Sequence, residues 1–256
     1  MIVTAIALTL MLQAAQPAAP APVLSCPEMA MAIRLLLSRD ARMRDWQDLS
    51  RYREENRRLA PPAAGESRVV FMGDSITDVW PRRGAFFPGK PYVDRGISGQ
   101  TTPQMLVRFR PDVIDLNPRV VVILAGTNDI AGNTGPMTDE EIEDNLASMG
   151  ELARAHGIKV VFSSILPVSE SHRNPDMAPQ TVQRPMSRIT AINDWMRKYA
   201  AENGHVYLDY FSNMADEKGL LRPELSEDDL HPNAKGYALM EPLAQAAISE
   251  ALGKVR

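Results

Sequence analysis

A serine hydroxyl is a weak nucleophile until a base within hydrogen-bond reach takes its proton and a third group orients that base. Two stretches of this chain can assemble such a set. Ser75 closes the run Val-Val-Phe-Met-Gly-Asp-Ser at 69–75, and Asp228-Asp229-Leu230-His231-Pro232-Asn233 lies near the other end. His231 is the base candidate. Asp228, three residues earlier, can in a tight turn accept from one ring nitrogen and leave the other for Ser75; Asp229, nearer in sequence, is the second candidate. Attack on an acyl carbon also needs donors for the oxyanion of a tetrahedral intermediate. Gly99 lies in a loop where a backbone N–H can approach closely with no Cβ in the way. Asn128 carries an amide just past a run of apolar residues. The Ser75 N–H, at the start of a helix, is a third donor favoured by the helix dipole.

These groups meet only if the fold brings four segments to one place. Val69–Met72 is a run of apolar residues that reads as a buried parallel strand, broken at Gly73. Ser75 then sits just past a strand's carboxyl end, where open α/β sheets place their ligand crevice. Strand candidates are 68–73, 91–95, 119–125, 158–165 and 205–209, with helices at 102–116, 138–156, 187–203 and 233–253. Thr138 with Glu141 forms a capping box, and Gly157 and Gly204 follow two helix ends. Alternating strands and helices imply βαβ units with right-handed crossovers. The predicted architecture is therefore a three-layer α/β/α sandwich with a five-stranded parallel sheet, flavodoxin-like. Loops 74–78, 96–101 and 126–136 then leave the same sheet edge. Ahead of the first strand, 28–40 and 41–59 read as amphipathic helices, ended by Pro61-Pro62. Arg51, Arg53, Arg57 and Arg58 interleave with Glu54 and Glu55, the pattern of a solvated helix face.

The 256 residues are 45% hydrophobic and 23% charged, an ordinary globular composition with room for one α/β domain. The reading divides them into a signal peptide or disordered leader at 1–22, a helical extension at 23–66 and the α/β domain at 67–256. A net charge of −4 argues against nucleic acid or an anionic membrane as partner. The apolar run 2–12 is too short to span a bilayer, which excludes stable membrane insertion there. An Ala- and Pro-rich stretch follows it, as in a secretory signal, although no Lys or Arg precedes it; the expected location is periplasmic or secreted. Cys26 is the single cysteine, so an intramolecular disulfide and a Cys-based metal site are excluded, and Val-Leu-Ser-Cys at 23–26 only faintly matches a lipoprotein box. No His/Asp/Glu spacing fits a metal and no Walker-type loop is present, so neither metal nor cofactor is expected. His156 reads as a helix C-terminal residue and His205 as the start of a strand. His172 lies in the Pro-rich loop 167–186, which either overhangs the crevice or is simply exposed. Trp80, Phe86 and Phe87 can line an acyl pocket, but core packing is the default for such residues.

Each candidate has a plainer role when taken alone. Ser75 between strand and helix suits a helix cap. Gly99 suits a turn, Asn128-Asp129 an Asx turn, and His231 a cap or the surface. Their convergence at one sheet edge outweighs these readings. Gly73-Asp74-Ser75-Ile76-Thr77, Arg95-Gly96-Ile97-Ser98-Gly99-Gln100-Thr101, Gly126-Thr127-Asn128-Asp129 and Asp228-Asp229-Leu230-His231-Pro232-Asn233 together resemble the SGNH hydrolases, the GDSL esterase/lipase family. The resemblance spans about residues 67–250. Asp94 and Asp229 depart from it, standing where the family often has Asn and Gly. Thr77 rules out the Gly-x-Ser-x-Gly elbow of the larger α/β-hydrolases.

The resemblance implies Ser75 as nucleophile, His231 as base and Asp228 as its partner, with Ser75 N–H, Gly99 N–H and Asn128 as the oxyanion hole. The implied activity is hydrolysis of short-chain (acetyl to butyryl) carboxylic esters through an acyl-enzyme, on a small-molecule or glycan acyl ester. Competing readings are an acyltransferase, a glycan acetylesterase or a lysophospholipase on the same site, and a non-catalytic glycan-binding module. Activity should rise as His231 deprotonates. Oligomeric state is not legible.

Overall fold

The computed structural model describes residues 44–172 and 178–253, with residues 25, 27, 29–31, 33 and 34 ahead of them. The expected leader at 1–22 and Cys26 lie outside the described residues. The described positions from 27 to 34 are helical, overlapping the first expected amphipathic helix at 28–40. The second is shorter than its pattern. Residues 45–52 are turns, because Asp45 takes the backbone N–H groups of Leu49 and Ser50 on its carboxylate, and helix α1 covers only Arg53–Arg58. Arg57 and Arg58 there pair with Glu54 in solvent, as a solvated face should.

The five expected strands are all present: β1 (Val69–Gly73), β2 (Tyr92–Gly96), β3 (Val120–Leu124), β4 (Lys159–Ser163) and β5 (Val206–Leu208). All pair in parallel, in the order β2-β1-β3-β4-β5. That is the flavodoxin-like order, whose chain reverses direction across the sheet beside β1. Short helices α2 (Ser75–Asp78) and α3 (Trp80–Arg83) follow β1, and α4 (Thr102–Asp112) follows β2. Helices α5 (Thr127–Ile130) and α6 (Asp139–Ala155) follow β3, with α6 started by the Thr138–Glu141 capping box. Helices α7 (Gln180–Gln183) and α8 (Met186–Asn203) follow β4; α9 (Phe211–Met214) and α10 (Ala234–Ala251) follow β5. The expected helix over 102–116 stops at Asp112, past Pro111, and a 3₁₀ turn finishes the span at Ile114–Leu116. The last helix starts two residues past Pro232. Asn233 caps it, accepting from the N–H groups of Lys235 and Gly236.

Strand alternation divides the core in two. Val70, Met72, Val121, Ile123, Val160 and Phe162 face α4, α6 and α8. Val69, Phe71, Val120, Val122, Leu124 and Val161 face the other way, toward Tyr237, Met240, Ala244 and Ile248 of α10. Helices on both faces complete the three-layer sandwich. Trp80 and Phe87 are buried with Phe71, Phe86, Tyr92 and Tyr237 in a continuous aromatic cluster, so they pack the core and do not line a pocket.

Register sets up the edge. Gly73 of β1 stands opposite Gly96 of β2 and Leu124 of β3, so three strands end at one level. A Cβ on Gly96 would fall 2.1 Å from the Asp78 nitrogen and 2.7 Å from the Thr77 carbonyl carbon. Both are backbone atoms of α2, so the helix that carries Ser75 rests directly on the end of β2. Gly96→Ala must separate them and should lower stability by about 3 kcal/mol, as overpacking of a tight site does. Urea unfolding of the variant checks this; an unchanged midpoint would show the contact to be slack.

Candidate active site

Loop 74–78, the first to leave this edge, contributes Ser75 as the first residue of α2. The cap of that helix is Asp74, whose carboxylate accepts from the Ile76 N–H at 2.9 Å. Capping thus falls to Asp74, and the Ser75 hydroxyl is left for other work. It lies 2.9 Å from Nε2 of His231. Helix α2 is held by a residue far along the chain, the buried Tyr237, whose hydroxyl donates to the Ile76 carbonyl at 2.7 Å.

His231 is fixed by its own turn. Asp228 accepts from the His231 backbone N–H at 2.7 Å and the Leu230 N–H at 3.2 Å through Oδ1, while Oδ2 lies 2.8 Å from the ring Nδ1. A carboxylate can only accept, so the neutral imidazole carries its proton on Nδ1 and presents a lone pair on Nε2 to Ser75. Burial opposes the charge on Asp228, but these hydrogen bonds and the imidazole's charge outweigh it and hold the carboxyl well below the usual range. Its pairing therefore supports the fold at neutral pH and is lost only as pH falls below 3.8 toward the folded-state value. Asp229 has a different task. Its backbone is left-handed (φ +66°), and its buried carboxylate accepts from Ser169 Oγ at 2.6 Å and from the His172 N–H at 2.9 and 3.0 Å.

Gly99 and Asn128 come from the other two loops. Gly99 has φ +81°, and an added Cβ would meet only Asn133 Nδ2 at 3.8 Å. Glycine is thus favoured there by backbone conformation rather than by crowding from the protein. Asn128 sits in α5, not in an Asx turn, and its Nδ2 donates to the Gln100 carbonyl at 3.0 Å, engaging one of its two N–H bonds. As first residue of α2, the Ser75 N–H has no acceptor inside that helix. The arrangement can activate a hydroxyl by general-base proton removal and offers donors for an oxyanion.

A cavity of about 470 Å³ opens beside His231 and Asp228. Glu170, His172, Gln180, Gln183, Arg184 and Glu227 line it, and Leu230 is its one large apolar contributor among the described residues. Described residues of the loop after β4 therefore wall the cavity next to His231. Arg184, 5% exposed, was not legible as a site residue; its Nε donates to Thr127 Oγ1 at 3.0 Å, one residue before Asn128. His156 Nδ1 donates to the Leu152 carbonyl near the end of α6, and the ring of His205 packs against Phe162; both lie apart from the cavity lining. No metal-binding group of His, Cys, Asp and Glu occurs among the described residues.

Residues 71–239 match the GDSL-like Lipase/Acylhydrolase family. The chain belongs to this family. The GDSL-like fold extends to solved structures of similar sequence. A protein of Bacteroides fragilis NCTC 9343 to which acylhydrolase activity is ascribed is 42% identical with a TM-score of 0.74, covering 81% of this chain and 99% of its own. A GDSL-like lipase of Bacteroides thetaiotaomicron VPI-5482 is 41% identical with a TM-score of 0.75, covering 81% and 100%. Among curated relatives, the uncharacterized lipoprotein YqeF of Bacillus subtilis (strain 168) is 35% identical over 83 residues. That match covers 31% of this chain and 34% of YqeF, about a third of each. Membership and these relatives make the protein a carboxylic ester hydrolase of the GDSL type.

Asp74 adds a buried acid beside Ser75. Complete burial raises its carboxyl from 3.8 to about 6, against the Ile76 hydrogen bond and the His231 charge, and its Oδ2 has no partner. A folded-state value above the unfolded one means that the folded protein holds this proton more tightly. Stability should therefore fall as pH rises from 3.8 to about 6, by up to roughly 3 kcal/mol. Melting temperatures of wild type and Asp74→Asn across pH 4–7.5 test this: the wild type should lose stability relative to the variant with rising pH. Parallel curves would show that Asp74 does not titrate there.

Proposed function

We propose that this protein is a serine esterase acting on short-chain esters, acetyl to butyryl, through an acyl-enzyme. Ser75 attacks the ester carbonyl as His231 takes its proton, with Asp228 holding the imidazole in the required tautomer and stabilising the imidazolium. The Ser75 and Gly99 N–H groups and the Asn128 amide hold the oxyanion. His231 then protonates the leaving alcohol, and water, activated by the same imidazole, releases the acid. The observation that carries this reading is the continuous chain from Ser75 Oγ to His231 Nε2 (2.9 Å) and from His231 Nδ1 to Asp228 Oδ2 (2.8 Å).

Two features support the short-chain preference and a hydroxyl-rich alcohol portion, as in an acylated glycan. Of the aromatic residues that follow Ser75, Trp80 and Phe87 are buried in the core and Phe86 packs half-buried against them, so their surface is largely taken up by packing rather than offered to a long acyl chain. Most of the residues around the cavity beside His231, among them Glu170, Gln180, Gln183 and Arg184, carry groups able to hydrogen-bond sugar hydroxyls. Export is part of the proposal. It rests on the apolar run 2–12 and on similarity to a Bacillus subtilis lipoprotein, while no described helix is long and apolar enough to cross a membrane.

Ser75→Ala and His231→Ala should each lower kcat by about 10⁴ or more with the fold intact. Asn128→Ala should lower kcat by roughly 10²–10³. Turnover near wild type in Ser75→Ala would overturn the mechanism, and a change confined to KM would make Asn128 a substrate-binding residue only. Hydrolysis of p-nitrophenyl esters from acetyl to palmitoyl should fall with chain length. A preference for long chains would point to a lipase or lysophospholipase, and acetyl transfer to an added sugar outrunning hydrolysis would point to a transferase.

A further inference from the structure

Residues 46–56 lie ahead of the stretch that matches the family, and the mechanism above uses none of them. Their polar contacts nevertheless converge on the loop that carries Gly99 and on the strand and helix flanking it. The Gln47 carbonyl accepts from Gln100 Nε2 at 2.8 Å, and the Trp46 carbonyl accepts from Gln104 Nε2. The Tyr52 hydroxyl donates to the Gly96 carbonyl at 2.5 Å. Its ring lies between the guanidinium groups of Arg51 and Arg95, each 4.5 Å from the centroid. Asn56 Oδ1 accepts from Arg95 Nε and Nη2 at 2.9 and 2.7 Å, and its Nδ2 donates to Asp112 Oδ1 at 2.7 Å.

Gln100 is where these contacts meet the site. It is 1% exposed and uses its side-chain amide on both sides. Its Oε1 accepts from Arg108 Nε at 2.5 Å, and its Nε2 reaches the Gln47 carbonyl. Its own backbone carbonyl accepts from the Asn128 amide. One residue thus adjoins Gly99 in the chain and orients Asn128 through space. Arg108, fully buried, anchors the assembly to the sheet by donating also to the Gly73 carbonyl at 3.0 Å and Asp112 at 3.1 Å. Without the Gln47 carbonyl, the Gln100 Nε2 would be a buried donor with nothing to bond, and the loop would have reason to move. Oxyanion donors lose most of their effect when displaced by a fraction of an ångström, and donors on loops depend on such support.

We infer that residues 46–56 form a brace that positions the oxyanion donors, with Gln100 and Tyr52 as its positioning residues. This rests on the reading of Gly99 and Asn128 as those donors. Tyr52→Phe removes only the bond to Gly96 and keeps the ring between two arginines. Gln100→Glu keeps an acceptor for Arg108 but sets a carboxylate against the Gln47 carbonyl.

The test compares full-length wild type, both variants and Asn128→Ala on p-nitrophenyl acetate. Rates are expressed per active site titrated with a fluorophosphonate, alongside melting temperature and inhibition by a methyl trifluoromethyl ketone, which forms a tetrahedral adduct. The brace predicts that Tyr52→Phe and Gln100→Glu each lower kcat about 10-fold or more with KM changed less than about twofold. The ketone should weaken by the same factor as kcat. A merely structural role would lower the melting temperature or the titrated fraction without moving the per-site rate or the ketone. Wild-type kcat per site in Tyr52→Phe and Gln100→Glu, with Asn128→Ala impaired, overturns the brace alone. Wild-type kcat in Asn128→Ala overturns the oxyanion reading and the brace with it. Should Gln100→Glu fail to fold, Tyr52→Phe decides by itself.

Discussion

Parallel pairing holds Gly73, Gly96 and Leu124 side by side at the carboxyl edge of the sheet, and the site depends on that alignment. The chain continues the pairing one step beyond the strands, where the Ile97 N–H donates to the Gly73 carbonyl at 3.0 Å. The turn bearing Gly99 is thereby tied to the turn bearing Ser75 before any side chain is considered. Helix α2 rests on Gly96 with no space for a methyl group. A one-residue slip of β2 would move its side chains to the opposite face and carry Gly99 away from Ser75. Burial of Arg95 and the tight seat of α2 on Gly96 oppose such a slip, so contacts at the end of β2 fix where the two turns meet.

A second layer of organisation is electrostatic. Asp74, Asp94, Arg95, Arg108, Asp129 and Arg184 are buried or nearly so, and each adjoins one of the loops at this edge. Burial alone would push all of them toward neutrality. Arg108 and Asp112 offset that by pairing, and Asp129 by taking the Thr102 N–H and hydroxyl at the start of α4. Asp94 takes the Gly96 N–H but is still raised to about 7 by burial, with Asp78 adding to the rise. Such groups contribute little net stability compared with an apolar core, but their directional bonds restrict how the loops can be arranged.

Adjacent carboxylates show how backbone conformation assigns roles. Asp228 faces the imidazole three residues on. At Asp229 the left-handed backbone turns the next carboxylate toward Ser169 and His172, in the loop that walls the cavity. The histidine turn and the cavity wall are therefore joined through one side chain, where a glycine would satisfy the backbone but make no such tie.

The sheet, its helices and four segments of the site were legible in the chain because their causes are local. Runs of β-branched residues, a capping box at Thr138, glycine after helix ends and an Asp three residues before a His act over a few positions. What tertiary structure decided was every role that depends on a distant partner. Arg108 shares a helix face with Met105, Phe109 and Asp112, and an arginine in an apolar stripe hints at burial; only the fold supplies the Gly73 carbonyl and Gln100 that make it tolerable. Arg184 gains its place from Thr127, far away in the chain. Residues 45–52 have helical periodicity but fold as turns, because Asp45 binds their N–H groups and Tyr52 is drawn to Gly96. Periodicity records which residues seek an apolar face, whereas a buried polar group is placed by partners that sequence neighbours cannot reveal.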